Sequence, residues 1–171
     1  MGVIKMYGGI DPGFSGAIGI IDDKCNLIDV IPCPLLIIKT GKKKIVNLKK
    51  VEETRKRVDG TKLAEILRPY TKVKFVIEHS QSMPGQGGVS IFNYGEGYGV
   101  YRGVLETLGI DYIEVSAPVW KSKMKLNSDK YLSIAMAQEL IPSCKDKVKL
   151  RKDDGKAEAC LLALYLKEFV K

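Results

Sequence analysis

Tyr7-Gly8-Gly9-Ile10-Asp11-Pro12-Gly13-Phe14-Ser15-Gly16-Ala17-Ile18-Gly19-Ile20-Ile21 is the stretch on which the fold turns. Its first part closes an apolar run over residues 3–10 that reads as a strand heading into Asp11. Residues 17–21 read as the next strand, and the Asp-Pro-Gly sequence between them forces a turn. A strand's last residue projects from the end of its sheet, so Asp11 offers a carboxylate there. The neighbouring glycines let another group come close. An aspartate that caps its own turn accounts equally well for the residue, so Asp11 alone leaves both readings open.

Residues 27–32 form a third expected strand, set off by the polar turn Asp22-Asp23-Lys24 and by Asn26. Residues 39–50 are basic and lead into a mixed-charge stretch over 51–60. They read either as a solvated loop with a ragged hairpin or short helix, or as a DNA-facing flap. A helix is expected over 61–70, capped by Asp59 or Thr61, with Leu63, Ile66 and Leu67 on its apolar face. The apolar strand 73–77 then delivers Glu78. Residues 85–88 read as a flexible glycine loop. A helix from about Phe92 carries Tyr101, Val104, Leu105 and Leu108 at core spacing. A fifth strand spans 112–115, and helices over 128–141 and 154–170 close the chain, Pro142 ending the first.

Strands joined by tight turns pair antiparallel, and strands separated by helices pair parallel. The expected fold is therefore α/β: a mixed five-stranded sheet, three antiparallel then two parallel strands, flanked by helices. With 171 residues, one domain over 1–171 with a basic insertion near 39–60 suits the length.

Composition narrows the function. Hydrophobic residues make up 45% of the chain, enough for a packed core and against dominant disorder. No apolar run reaches the roughly 18 residues of a membrane span, and the first residues lack a secretory signal's apolar core; a cytoplasmic protein without a membrane partner is expected. Cys25, Cys33, Cys144 and Cys160 form no CxxC pair, and His79 is the single histidine. A zinc centre, a disulfide framework and multi-imidazole chemistry are therefore not indicated. Lysine and arginine exceed aspartate and glutamate by 28 to 20, a formal charge of +8, which suits a polyanionic partner.

The remaining carboxylates sharpen the reading. Glu78 ends a strand that is apolar enough to be central, where a carboxylate is costly to desolvate unless a cation meets it. A lysine salt bridge and a metal ion both satisfy that requirement. Asp154 and Glu158 stand four apart on the last helix, hence on one face, and that face continues through Leu161, Leu162 and Tyr165. The helix macrodipole favours acidic residues in a first turn, which accounts for Asp153 and Asp154 but poorly for Glu158. Three segments thus supply carboxylates that one sheet could gather. Hard divalent cations such as Mg²⁺ prefer oxygen ligands, and two of them, ~3.5–4 Å apart, suit phosphodiester hydrolysis.

Ile10-Asp11-Pro12-Gly13 with Ser15-Gly16-Ala17, then Val76-Ile77-Glu78, then Asp154-Gly155-Lys156-Ala157-Glu158-Ala159, resemble in this order the RuvC-type Holliday junction resolvases of the RNase H-like superfamily. Met83-Pro84-Gly85-Gln86-Gly87, followed by Gly97-Tyr98-Gly99-Val100 and Gly103, resembles a phage-associated branch. The resemblance spans most of the chain and leaves the basic segment unmatched. It implies the RNase H-like fold, paired nicking of four-way DNA junctions by a homodimer using Mg²⁺ or Mn²⁺, and a phage or bacterial origin. It also implies Asp11, Glu78, Asp154 and Glu158 as catalytic metal ligands for two ions, with Asp11 bridging them. The bacterial enzymes space the last acidic pair three apart rather than four, which leaves Asp153 open as a further ligand. The aromatic they carry in the loop after the fourth strand has no counterpart in residues 80–83.

Lys121, Lys123 and Lys125, beside Trp120, and Lys147, Lys149, Arg151 and Lys152, just before the last helix, are the expected DNA contacts. Such contacts hold the phosphate backbone and carry little sequence information; ordinary surface lysines have the same appearance. Trp120 reads as core or hinge packing, and Tyr98 and Tyr101 with nearby glycines as a dimer surface or a tight helix crossing. Three rivals remain: a nuclease of the same fold acting on RNA–DNA hybrids or flaps, a non-catalytic junction-binding protein, and a phosphate-binding domain of the actin and sugar-kinase type. The last needs a second such domain, and these 171 residues show no convincing second copy.

Overall fold

The computed structural model describes residues 4–79 and 87–170. In chain order the strands and helices are β1 (Met6–Ile10), β2 (Ala17–Asp22), β3 (Leu27–Pro32), β4 (Leu35–Val46), β5 (Lys49–Val58), α1 (Gly60–Leu67), β6 (Lys74–His79), α2 (Gly88–Thr107), β7 (Tyr112–Ser116), α3 (Ala117–Lys123), α4 (Lys130–Leu140) and α5 (Asp154–Phe169). Five strands form one sheet in the order β3-β2-β1-β6-β7. β1 pairs antiparallel with β2, and β2 with β3, while β6 runs parallel to both β1 and β7. This is the mixed sheet that turn lengths and helix crossovers dictate.

Period-two alternation divides the core. Ala17, Ile21 and Val76 face α5, whose Ala159, Leu161 and Leu162 are fully buried. Ile18, Ile20, Phe75 and Ile77 face the opposite way, onto Leu63, Leu67, Tyr101 and Leu105 of α1 and α2. Asp59 caps α1 by accepting from the Lys62 amide at 3.0 Å, as its position before the helix implies.

α5 lies unusually close to the sheet. A Cβ at Gly9 would stand 2.2 Å from the Ala159 carbonyl, and one at Gly19 would stand 2.7 Å from the Cys160 amide. Those two strand positions therefore admit only glycine, and their emptiness lets the helix backbone settle onto β1 and β2.

Four elements depart from expectation. Glu78 lies inside β6, opposite Val115, rather than beyond its end. α2 begins at Gly88, earlier than its apolar spacing suggests. α3 was not expected: seven residues carry too little periodicity, and its start is set by Pro118 in the first turn. The basic segment is a two-stranded hairpin, β4–β5, in a sheet of its own. Its strands mix β-branched residues with lysine. Val46 pairs with Lys49, leaving a two-residue loop in which Asn47 and Leu48 both have positive φ, 49° and 64°. That turn suits the right-handed twist of a hairpin, yet a leucine in the left-handed region costs about 1–2 kcal/mol. Residues 80–86, which include the first half of the glycine loop expected over 85–88 and most of the Met83–Gly87 motif, lie outside the described residues, while Gly87 caps α2 and Gly88 begins it.

Candidate active site

β1 ends at Ile10 and hands the chain to Asp11, whose amide donates to the Ala17 carbonyl at 3.0 Å. The side chain turns back so that Oδ1 accepts from the Gly13 amide at 3.2 Å. In the parallel neighbour, Glu78 follows Ile77, which is the register partner of Ile10. Asp11 and Glu78 therefore emerge at the same edge of the sheet on adjacent strands.

The third carboxylate comes from α5. A Cβ on Gly155 would sit 2.2 Å from the Ser15 carbonyl, so this glycine alone lets the first turn of α5 rest on the β1–β2 turn. Glu158, one turn on, then reaches the electrostatic neighbourhood of Asp11 and Glu78.

The cluster is crowded with negative charge. Burial, then the charge of Glu78 and that of Glu158, push the Asp11 carboxyl up to about 7, against the lowering effects of the Gly13 amide and Lys121. Burial also raises the Glu78 carboxyl, as does Glu158, while Trp120 and Lys121 oppose the rise. The indole N–H of the fully buried Trp120, on α3, donates to Glu78 Oε2 at 2.7 Å. Lys121 donates to Glu158 Oε1 at 2.7 Å, and the buried Ser133 hydroxyl reaches the same oxygen at 3.2 Å. Asp154 is held by an ion pair with Lys130 instead.

Asp153 has a different task. Its Oδ2 accepts from the amides of Lys149 and Leu150, and its Oδ1 pairs with Lys156 at 2.9 Å. These contacts hold its carboxyl down at about 2. Both oxygens are engaged in fixing the start of α5.

As the side chains stand, no group of three or more His, Cys, Asp or Glu among the described residues is arranged to hold a metal ion. The donor chemistry nevertheless fits a hard cation. Asp11, Glu78 and Glu158 offer oxygen only, are poorly solvated and repel one another. Lys121 supplies a single positive charge among them, and Lys130 holds the fourth carboxylate one turn away.

The expected DNA contacts separate into three groups. Lys121 is half-buried inside the carboxylate cluster, with its ammonium 5.3 Å from the Trp120 ring centre, so it does not face outward. Lys123 and Lys125 are exposed and line a cavity with Cys25 and Phe169, at the other end of α5. Lys147, Lys149 and Lys152, with Lys156, line a shallow pocket of about 410 Å³ before the α5 N-terminus, and Arg151 is exposed beside it. Lys147 also pairs with Asp29 at 3.7 Å. On the other flank of Asp11, a groove of about 590 Å³ runs between Pro12, Gly13 and Phe14 and the α2 residues Ser90, Asn93 and Tyr94.

Sequence reasoning missed Trp120, Ser133 and Lys130 as parts of this constellation. Trp120 did carry a signal: a buried indole N–H needs an acceptor, and the nearest strand ends supply carboxylates. Tyr101 proves to be core, buried against Leu63 and Phe75, and not dimer surface.

No family model matches the sequence, and no curated protein matches it. Among solved structures it is similar to "T. thermophilus RuvC in complex with Holliday junction substrate", at 12% identity and TM-score 0.54, over 94% of this chain and 91% of that one. It is also similar to "Thermus thermophilus RuvC structure", at 15% identity and TM-score 0.53, over 94% and 92% of the two chains. At such identities the likeness shows the fold, and the fold is that of RuvC, the RNase H-like mixed sheet.

Proposed function

We propose that this chain is a structure-selective DNA endonuclease that resolves four-way junctions by paired, metal-dependent nicking of phosphodiesters. The observation that carries the reading is the meeting of Asp11, Glu78 and Glu158, from three separate segments, at one edge of a RuvC-type sheet. A relative by fold has been seen with a Holliday junction substrate, which supports branched DNA as the ligand.

Asp11, Glu78 and Glu158 would hold Mg²⁺ or Mn²⁺, two ions per site, with Asp154 joining once it leaves Lys130. Bound there, such ions supply Lewis-acid polarisation of the phosphate and activation of the attacking water. The chain's own residues do the rest. Trp120 fixes the Glu78 carboxylate, Ser133 orients Glu158, and Lys121 balances charge until the cation arrives. Lys147, Lys149, Arg151 and Lys152 would grip the phosphate backbone on its way to the site, with Lys123 and Lys125 reached by a duplex arm running along α5.

A homodimer would present two such sites for symmetric cuts. On α2, a Cβ at Gly95, Gly99 or Gly103 would meet nothing within 4 Å. Each exposed helical glycine costs about 1 kcal/mol of helix propensity relative to alanine and gains nothing within the chain, whereas a second helix could pack closely there. Among the described residues no helix is long and apolar enough to cross a membrane, and a cytoplasmic, phage or bacterial setting suits the proposed substrate.

The test is the purified protein with Mg²⁺ on a four-way junction, a linear duplex, a flap and an RNA–DNA hybrid of matched sequence. Symmetric nicking of the junction in preference to the others is expected. Preference for the hybrid or the flap would replace this reading with that of a different nuclease of the same fold, and binding without cleavage would leave a junction-binding protein.

A further inference from the structure

The hairpin β4–β5 is unaccounted for by the carboxylate site. Residues 35–58 contain nine cations against two carboxylates, so this one element carries +7 of the chain's +8. Lys39 pairs with Glu52 and Arg55 with Glu96. The other seven cations have no carboxylate partner among the described residues. They run along both strands, and a ten-residue strand spans about 30 Å.

The root of the hairpin is at the catalytic edge. The Cys33 amide donates to the Gly16 carbonyl and the Asp59 amide to the Pro34 carbonyl, both at 2.9 Å. Val58 packs against Gly97 of α2, which lies beside Phe14 of the β1–β2 turn. The other end is apolar. Leu48 is 98% exposed, Ile45 is 69% exposed and Val46 is 43% exposed, collared by Lys44, Lys49 and Lys50. Leu48 also holds a positive φ that its side chain disfavours. The hairpin's twist calls for a positive φ there, but glycine or asparagine would supply it at less cost. The exposed leucine side chain gains nothing within the chain, which points to a function for that side chain.

We propose that β4–β5 is a DNA-gripping arm, with its lysines on the phosphates and Leu48 inserting between stacked base pairs. Apolar side chains at the end of basic elements do this when they enter a groove and part a base step. A lipid surface could also take cations and an apolar tip. It requires a broad apolar face, whereas here the exposed apolar side chains fall in two separate places, Leu36 and Ile37 near the root and Ile45, Val46, Leu48 and Val51 at the turn, with Lys39, Lys42, Lys43 and Lys44 between them. The choice of branched DNA rests on the nuclease reading; gripping and insertion do not.

The experiment uses the full chain in EDTA, so that no cleavage intervenes, with a four-way junction and a duplex carrying 2-aminopurine at or near the branch point. Wild-type protein is expected to raise the probe's emission as its base unstacks. Leu48→Gly should abolish that rise while leaving the dissociation constant within about threefold, since phosphate contacts dominate affinity. Because glycine accepts a positive φ, the same variant should melt no lower than wild type. A triple variant, K43Q/K44Q/K50Q, should bind at least about tenfold more weakly at moderate salt and flatten the plot of log affinity against log salt by about 2–3 units.

An unchanged emission rise in Leu48→Gly overturns insertion. Unchanged affinity and salt slope in the triple variant overturn gripping. Binding to phosphatidylserine vesicles that depends on Leu48, with no such dependence on DNA, assigns the arm to membranes instead. If wild type cuts nothing yet still unstacks the probe through Leu48, the arm stands and the nuclease reading falls.

Discussion

Asp11 is where the carboxylate cluster has its largest effect on the chain as a whole. Its carboxyl is raised from 3.8 to about 7, so the folded state binds this proton more tightly than the unfolded state does. Its contribution to stability is therefore fully present below 3.8 and is lost as pH rises through about 7. Asp153, held at about 2, acts in the opposite sense and only in acid. Without metal, the melting temperature should fall between about pH 5 and pH 7.5, and Asp11→Asn should flatten that slope. Added Mg²⁺ at the upper pH should restore wild type and not the variant. An equal slope in both proteins would remove Asp11 from the cluster's energetics. Glu78→Gln keeps the size of the side chain and loses its charge; the variant should still bind junctions in gel shifts but cut them at least about a hundredfold more slowly. Asp11, Glu78 and Glu158 could be read from sequence because each sits where an apolar pattern meets an acid. Lys121, Ser133 and Trp120 could not, because their roles arise only when α3 and α4 pack against α5.

The elements that position the site depend on backbone approaching backbone. Gly155→Ala would thrust a methyl to 2.2 Å from the Ser15 carbonyl, where neither side is a flexible side chain. We expect a loss of at least about 3 kcal/mol in denaturant unfolding, at the upper end of overpacking costs, together with loss of cleavage as Glu158 shifts. A stable, active variant would mean that α5 is not seated through this contact. The sheet was legible element by element, since tight turns and helix crossovers fix strand direction. The edges of the elements were less so: Glu78 inside β6 and the early start of α2 are set by tertiary pairing. The hairpin was ambiguous for a physical reason. Its lysine runs are equally at home in coil, and only strand pairing decides between the two.

For the molecule as a whole, the proposed homodimer makes Gly99 a discriminating position. Gly99→Trp adds bulk to open space in the monomer and improves helix propensity, so the isolated chain should fold at least as well. Sedimentation should nevertheless show the dimer weakened or lost, and paired cutting reduced to single nicks. A variant that dimerises normally places the subunit contact elsewhere. The single tryptophan of the chain, Trp120, rests its indole N–H on Glu78 Oε2. All tryptophan emission from the intact protein thus originates at one bond inside the carboxylate cluster. An unlabelled sample in a fluorimeter becomes a gauge of divalent ions arriving there, with the intensity tracking occupancy and Glu78→Gln serving as its blank.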